Sequence, residues 1–115
     1  MIHPFQREER AEYVADVLKS LANPCRLRIL ALLCQRERTV SELCEALDAP
    51  PSTVSGQLRI LRLRRFVEVT RSGSFATYRV GHPDVYKLLD SLECCSLLAL
   101  PKPSTAPEPR SEPSS

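Results

Sequence analysis

The chain has 115 residues, which is enough for one domain with a modest core, and its net charge is only +2. No apolar run approaches the length of a membrane span, and the first residues lack the apolar core of a signal peptide, so we expect a cytoplasmic protein with no membrane partner. The five cysteines are an odd number and, in a reducing compartment, do not predict a disulfide framework.

Two helices are predicted in the first third of the chain. Residues 7–21 carry apolar side chains, Val14 and Leu18 among them, at helical spacing along one side, and this wide face can serve a core or a dimer partner. Residues 24–34 begin at a proline, which is tolerated at a helix start, and are apolar almost all round. The second helix is therefore predicted to be the buried centre, where its two cysteines would fill space.

A helix-turn-helix is predicted next. Val40–Leu47 is a short amphipathic helix with Thr39 or Ser41 as its cap, and residues 48–51 form a tight connection to a second helix over residues 50–62. Two short helices joined in this way form a helix-turn-helix, and the second of them is the recognition helix.

The recognition helix is predicted to have an apolar and a polar face. Ser52 is predicted to be its N-cap, directly after two prolines, and Val54, Leu58 and Leu61 recur at the spacing of a core-facing stripe. The other face carries hydroxyl, amide and guanidinium groups, which hydrogen-bond phosphates and base edges, although a polar face is also typical of plain solvation. These polar residues are Thr53, Ser55, Gln57, Arg59 and Arg62.

A β-hairpin is predicted after the recognition helix. Its strands are residues 66–70 and Phe75–Val80, and the loop between them has Gly73 where a positive φ would be needed. Such a hairpin is a wing, whose tip, with Arg71 and Ser74, would lie against the DNA backbone. Residues 52–80 contain six arginines and only one acid, Glu68. This excess supplies the local positive charge that phosphate binding needs. The arginines are Arg59, Arg62, Arg64, Arg65, Arg71 and Arg79.

A last helix is predicted from Pro83 or Asp84 to about residue 98. Its apolar stripe consists of Val85, Leu88, Leu89 and Leu92. Because four earlier helices already supply a small core, we expect this stripe to pack against another subunit. Residues 99–115 are rich in proline and serine, which predicts a disordered tail after a folded domain of residues 1–98.

The order of helix, helix, helix-turn-helix, wing and helix resembles the ArsR/SmtB family of bacterial winged-helix repressors. The resemblance covers about residues 10–98 and rests on four segments: LANPCRLRIL at 21–30, TVSEL at 39–43, STVS at 52–55 and YRV at 78–80. It implies a mainly α fold with a small β-hairpin and a homodimer built from the first and last helices. It also implies binding to palindromic operator DNA that ends when an inducer binds.

Two places depart from the family pattern. The recognition helix has Gly56 and Gln57 where many members have a larger polar residue followed by histidine. Glycine in mid-helix costs about 1 kcal/mol relative to alanine, so either the packing there is tight or the helix is slightly loose. The family's usual glycine between recognition helix and first strand is replaced by Arg64 and Arg65, so we expect that turn to be made differently.

The metal sites of the family are incomplete in this chain. The arsenic sensors place a Cys-x-Cys pair at the start of the helix before the recognition helix, where this chain has Thr39, Val40 and Ser41. The zinc sensors use aspartate and histidine on the last helix, and the only histidines here are His3 and His82. We therefore predict neither of these two sites.

Cys94 and Cys95 form the remaining candidate inducer site, near the end of the last helix. Adjacent thiols project about 100° apart from a helix, and some relatives place cysteine pairs here for arsenite. As(III) or Sb(III) takes three thiolates, so the third is either Cys44 of the same chain or a cysteine of the partner subunit. A redox or reactive-sulfur switch, or simple packing in the dimer interface, would also account for the pair.

The leading hypothesis is a dimeric repressor that As(III) or Sb(III) releases from operator DNA, and the runner-up is a thiol-redox or reactive-sulfur-responsive repressor of the same fold. A winged helix can also serve as a protein-interaction module, but the arginine cluster argues against that role. An enzyme is not predicted, because both histidines adjoin prolines at segment ends and no carboxylate pair or glycine-rich phosphate loop accompanies them.

Overall fold

The structure, a computed structural model, describes residues 2–100. These residues form five helices and a three-stranded antiparallel sheet, so the predicted winged helix-turn-helix is confirmed. The predicted tail, from residue 101 onward, lies outside the described residues. The elements in chain order are α1 (Glu8–Leu21), α2 (Pro24–Gln35), β1 (Arg38–Thr39), α3 (Val40–Leu47), α4 (Pro51–Leu63), β2 (Val67–Ser72), β3 (Phe75–Val80) and α5 (Asp84–Cys94), with 3₁₀ turns at Pro4–Gln6 and Ser96–Leu98.

The core lies where α2, α3 and α4 meet the sheet. The predicted stripe of the recognition helix is confirmed, since Val54, Leu58 and Leu61 are at most 1% exposed. The helix α2 supplies Ile29, Leu30 and Leu33 to the same core, but it is not buried all round, because Leu27 on its other side is 36% exposed. One side of α2 therefore keeps apolar surface that the rest of the chain does not cover. The remaining core residues are Leu21, Leu43, Leu47, Val67, Tyr78 and Val85.

The two ends of α3 follow directly from local chemistry. The backbone N–H of Glu42 donates to Oγ1 of Thr39 (3.2 Å), and the Thr39 N–H donates back to Oε1 of Glu42 (2.9 Å), so Thr39 is the cap. The hydrogen bond from the Thr39 backbone N–H holds the pKa of Glu42 below its usual range. At its other end α3 stops at Asp48, which takes a left-handed conformation with φ 53°.

The predicted N-cap of α4 is wrong. The helix begins at Pro51, with Pro50 as its extended N-cap, and Ser52 lies inside the first turn without making a capping hydrogen bond. Proline has a preset φ and no N–H that needs a partner, which makes Pro51 a good first helical residue one position before the serine.

The turn after α4 is a Schellman motif. The N–H of Phe66 donates to the carbonyl of Leu61 (3.0 Å), and the N–H of Arg65 donates to the carbonyl of Arg62 (2.9 Å). This closure requires a left-handed residue, and Arg65 supplies it with φ 63°. An arginine therefore adopts the conformation that glycine would adopt without steric cost.

The wing is longer than predicted. β2 and β3 pair down to Ser72 opposite Phe75, so only Gly73 and Ser74 form the turn, and Gly73 has the expected positive φ of 60°. At the base of the wing a Cβ on Gly81 would lie 2.7 Å from the carbonyl oxygen of Arg65, so only glycine fits there without a shift.

A third strand, β1, was not predicted from the sequence. Arg38 and Thr39 pair with Tyr78 and Thr77 on the free edge of β3. Two polar residues cannot show the alternation of apolar and polar side chains that predicts a strand, so the sequence predicts only a polar link here. The pairing arises because α3 begins immediately after β1 and its packing on the core holds this segment against the wing.

The helices α1 and α5 lie at the margin of the core. α1 buries only Leu21, and α5 buries only Val85. The prediction that α5 continues to residue 98 is wrong, because Cys95 is extended (φ −79°, ψ 119°) and a separate 3₁₀ turn follows. No helix within residues 2–100 has the length and apolar character that a membrane span requires.

Candidate nucleic-acid interface

The recognition helix presents its outermost stripe opposite the buried one. This stripe contains Ser52, Gly56, Arg59 and Leu63, all of them exposed, and Leu63 is 78% exposed. An apolar side chain here can contact a thymine methyl group in the major groove, a role that the sequence did not suggest. The predicted residues Thr53, Ser55 and Arg62 are exposed on the two flanks of this stripe.

Gly56 leaves an open space in the middle of the outer stripe. Apart from its two neighbours in the chain and the backbone of the helix itself, no atom lies within 4 Å of the position that a Cβ would take. Tight packing is therefore not the reason for the glycine, which leaves a helix weakened by about 1 kcal/mol relative to alanine.

Gln57 is less free than predicted. It is half-buried on the edge of α4 that faces α2, and its Oε1 accepts a hydrogen bond from Nη1 of Arg26 at 2.7 Å. Arg26 also donates through Nε to the carbonyl oxygen of Ser20, at the end of α1. No local pattern indicates that Arg26 belongs to this surface, because it lies 31 residues before Gln57.

The positive charge of the surface is carried by five of the six arginines. Arg79 is engaged across the wing, where its Nη2 lies 2.9 Å from Oε1 of Glu68 and its Nη1 donates to Thr70. Part of the charge of Arg79 is thus neutralised by Glu68 before any phosphate is bound. Within residues 2–100 no carboxylate lies within ion-pairing distance of the other five, which are Arg59, Arg62, Arg64, Arg65 and Arg71.

The wing tip carries the two predicted residues. Arg71 is exposed near the end of β2, opposite Ala76, and Ser74 is exposed in the turn. Phe75, the first residue of β3, is 71% exposed beside them. The tip therefore combines one positive charge, a hydroxyl and an aromatic ring, which suits contact with a sugar–phosphate backbone.

The predicted dimer residues are split between the core and the surface. Val85 is 4% exposed and belongs to this chain's own core, so it is not available to a partner. Leu88 and Leu89 are half-buried against that core. Leu18 is 52% exposed, and Val14 and Leu92 are half-buried. Further exposed apolar residues on the same helices are Tyr13 and Tyr86.

The predicted inducer cysteines sit at the end of α5. Cys94 is the last helical residue and is exposed, whereas Cys95 is half-buried and already extended, so the two thiols do not share one helix. In the described part of the chain no three His, Cys, Asp or Glu side chains form a metal-binding group, and Cys44 is half-buried on α3. Burial and the nearby Asp90 raise the pKa of the Cys34 thiol.

Comparison with known proteins agrees with this geometry. Residues 23–69 match the profile of the bacterial regulatory protein, arsR family. The HTH-type transcriptional regulator Rv0081 of Mycobacterium tuberculosis is 40% identical over 76 residues, which are 65% of this chain and 67% of that protein. The chain belongs to the ArsR/SmtB family.

Two further relatives of this ArsR/SmtB protein agree in sequence and in fold. The biofilm growth-associated repressor of Agrobacterium fabrum is 38% identical over 85 residues, 74% of this chain and 73% of the relative. The solution structure of Mb0332 from Mycobacterium bovis, a homodimeric winged helix-turn-helix DNA-binding domain, matches with a TM-score of 0.68 and 33% identity. The match covers 81% of this chain and 86% of that one. The ArsR/SmtB chain is thus a winged-helix DNA-binding transcriptional repressor.

Proposed function

We propose that this ArsR/SmtB repressor is a homodimer that leaves its operator when a thiophilic inducer, As(III) or Sb(III), binds Cys94 and Cys95. The observation that carries the inducer proposal is the position of the pair, with one thiol exposed at the last residue of α5 and the next just beyond the helix. Adjacent Cα atoms are about 3.8 Å apart, so both sulfur atoms can reach one soft ion.

Exposed apolar surface on α1 and α5 supports the dimer. α1 buries only one of its 14 residues, and its Tyr13 and Leu18 are 60% and 52% exposed. This burial is too small for a helix that is held only by its own chain. Covering such side chains against a second copy removes apolar area from water. The relative Mb0332, whose fold this chain shares, is a homodimer. Two linked recognition helices would then read the two halves of a palindromic operator.

A third thiolate is needed for a trivalent metalloid, and we propose that the partner subunit provides it. The residues described in one chain hold no three-ligand group, whereas a dimer brings two cysteine pairs into one molecule. Binding the ion would favour a dimer in which the α5 helices, and with them the recognition helices, are wrongly spaced for DNA. The inducer would act by shifting this population rather than by blocking the DNA surface.

The test is a titration of the complex between the protein and an operator duplex selected from a randomised DNA pool. Arsenite, antimonite, zinc, cadmium and polysulfide are added in parallel, and release is followed by fluorescence anisotropy. We expect arsenite and antimonite to release wild-type protein. Cys94→Ser and Cys95→Ser should bind the duplex normally and resist release, because serine keeps the shape and replaces a soft ligand by a hard one.

Cys44→Ser is the matched control, since it removes a half-buried thiol from α3 and leaves the pair intact. It should respond to arsenite like the wild type. If Cys94→Ser and Cys95→Ser also respond to arsenite like the wild type, the inducer proposal is wrong. That result would not contradict the function of the protein in DNA binding.

The position of Cys34 favours a second candidate, a thiol-redox repressor. Cys34 borders a crevice between α2 and α5 that is also lined by Leu89, Asp90 and Glu93, and Glu93 directly precedes Cys94. A polysulfide or peroxide that takes two protons and two electrons from Cys34 and a second thiol would join them in a disulfide, and we propose Cys94 as that second thiol because it follows Glu93 on α5. The raised pKa of Cys34 would make this reaction slow at neutral pH. This mechanism would be identified if polysulfide released the wild type but not Cys34→Ser from DNA, and if the mass of the wild-type protein fell by two hydrogen atoms.

A further inference from the structure

Arg26 and Gln57 form a polar bridge between the end of α1 and the recognition helix. The Nη1 of Arg26 donates to Oε1 of Gln57 at 2.7 Å, and its Nε donates to the carbonyl oxygen of Ser20 at 2.5 Å. Both side chains are half-buried, so water competes with these bonds less than it would at a fully exposed site. A guanidinium group is a planar fork, and fixing Nε on Ser20 also fixes the direction of Nη1.

This bridge determines which way the Gln57 amide faces. A guanidinium group has only donors, so its partner must be the amide oxygen and never the amide nitrogen. Turning the amide over would set N–H groups against N–H groups and lose a charge-assisted hydrogen bond. The oxygen of Gln57 is therefore held toward α2, and Nε2 points away from Arg26.

The freed nitrogen has no partner within the part of the chain that the structure describes. Beside it Gly56 offers no side chain and leaves open space, and Thr53, one turn earlier on the same edge, is exposed. Nε2 of Gln57 can therefore donate toward the groove that this helix enters, whereas Oε1 is withheld.

We propose that Arg26 is a positioning residue for base recognition, and that it makes Gln57 read guanine instead of adenine. A free glutamine pairs with adenine by using its oxygen and nitrogen together, on N6 and N7. A glutamine that presents only donors matches guanine, whose O6 and N7 are both acceptors in the major groove. This inference rests on DNA binding alone and is independent of the identity of the inducer.

The experiment compares full-length wild type, Arg26→Ala, Arg26→Lys, Gln57→Ala and the Arg26→Ala/Gln57→Ala double variant. The preferred duplex is selected from a randomised pool with wild-type protein, and each base pair of one half-site is then replaced in turn. Affinities are measured at one salt concentration. Arg28→Ala is the matched control, because it removes the same charge from an exposed position on the same helix.

Wild type should prefer guanine over adenine by about tenfold at one base pair of the half-site, the discrimination of a good side-chain contact. Gln57→Ala should lose the preference at that base pair only. Arg26→Ala should shift it toward adenine, and the double variant should behave like Gln57→Ala. Arg26→Lys keeps a group that has only donors, so it should retain part of the guanine preference, and this rescue separates the orientation of the amide from a loss of folding in Arg26→Ala.

A purely structural role for Arg26 would give a different result. It would weaken binding to every duplex equally, as Arg28→Ala could, and leave the base preference unchanged. The proposal is overturned by that result, or by an Arg26→Ala effect on base preference that persists undiminished when Gln57 is alanine.

Discussion

Replacing Arg65 by glycine should stabilise the protein and weaken its binding to DNA. Arg65 has φ 63° in the Schellman turn after the recognition helix. A left-handed conformation costs a residue with a Cβ roughly 1–2 kcal/mol, and glycine does not have that cost. The greater conformational freedom of glycine in the unfolded chain lowers the free energy of unfolding by about 0.4–1 kcal/mol. The free energy of unfolding should therefore rise by about 0.8 kcal/mol in Arg65→Gly, within a range of about 0–1.6 kcal/mol.

Arg64→Gly is the matched control for this prediction. Arg64 precedes Arg65, carries the same charge and has φ −93° and ψ 2°, which any residue adopts. Glycine there relieves no strain and should lower the free energy of unfolding by about 0.5–1 kcal/mol. Both variants lose one positive charge from the exposed arginine cluster and should show a smaller salt dependence of DNA binding.

Urea denaturation at one fixed protein concentration measures the two stabilities, since a dimer's stability depends on concentration. Salt titrations of the complex with DNA measure the charge effect. Backbone strain at Arg65 is ruled out if Arg65→Gly is less stable than the wild type, or if the two variants change stability by the same amount. Opposite signs at neighbouring arginines would show that backbone conformation, and not charge, determines the difference.

Three further predictions concern the wing, the assembly and the dependence on pH. Arg71→Ala should weaken binding to all duplexes and reduce the salt slope by about 1, as for a lost phosphate contact, whereas Arg79→Ala should change the slope much less because that guanidinium is paired with Glu68. Leu92→Glu should give monomers by size-exclusion chromatography and lose operator affinity, since a buried charge would oppose subunit contact; a monomer that binds tightly would contradict the dimer proposal. The lowered pKa of Glu42 means that its stabilisation is present above its unfolded pKa and is lost as pH falls through its folded pKa. Wild type should therefore lose more stability than Glu42→Gln on acidification below about pH 5, measured by urea denaturation.

The sequence by itself determined the elements whose causes are local. The stripe of Val54, Leu58 and Leu61 and the positive φ of Gly73 were predicted, and Thr39 was one of the two caps proposed for α3, because helix periodicity, capping and turn chemistry act within a few residues. The arginine cluster and the family segments were equally visible. Together they were sufficient to predict a winged helix-turn-helix that binds DNA.

Tertiary structure decided the features that depend on distant parts of the chain. Arg79 is paired with Glu68 only because β2 and β3 align in one register, and Val85 is in the core only because the start of α5 packs against it. The end of α5 at Cys94 was missed because apolar residues continue beyond it, so periodicity gives no stop signal there. The bond from Arg26 to Gln57 joins residues 31 positions apart, and no local pattern reports such a contact. Sequence patterns record short-range preferences, whereas hydrogen bonds and burial between distant residues exist only once the core has brought them together.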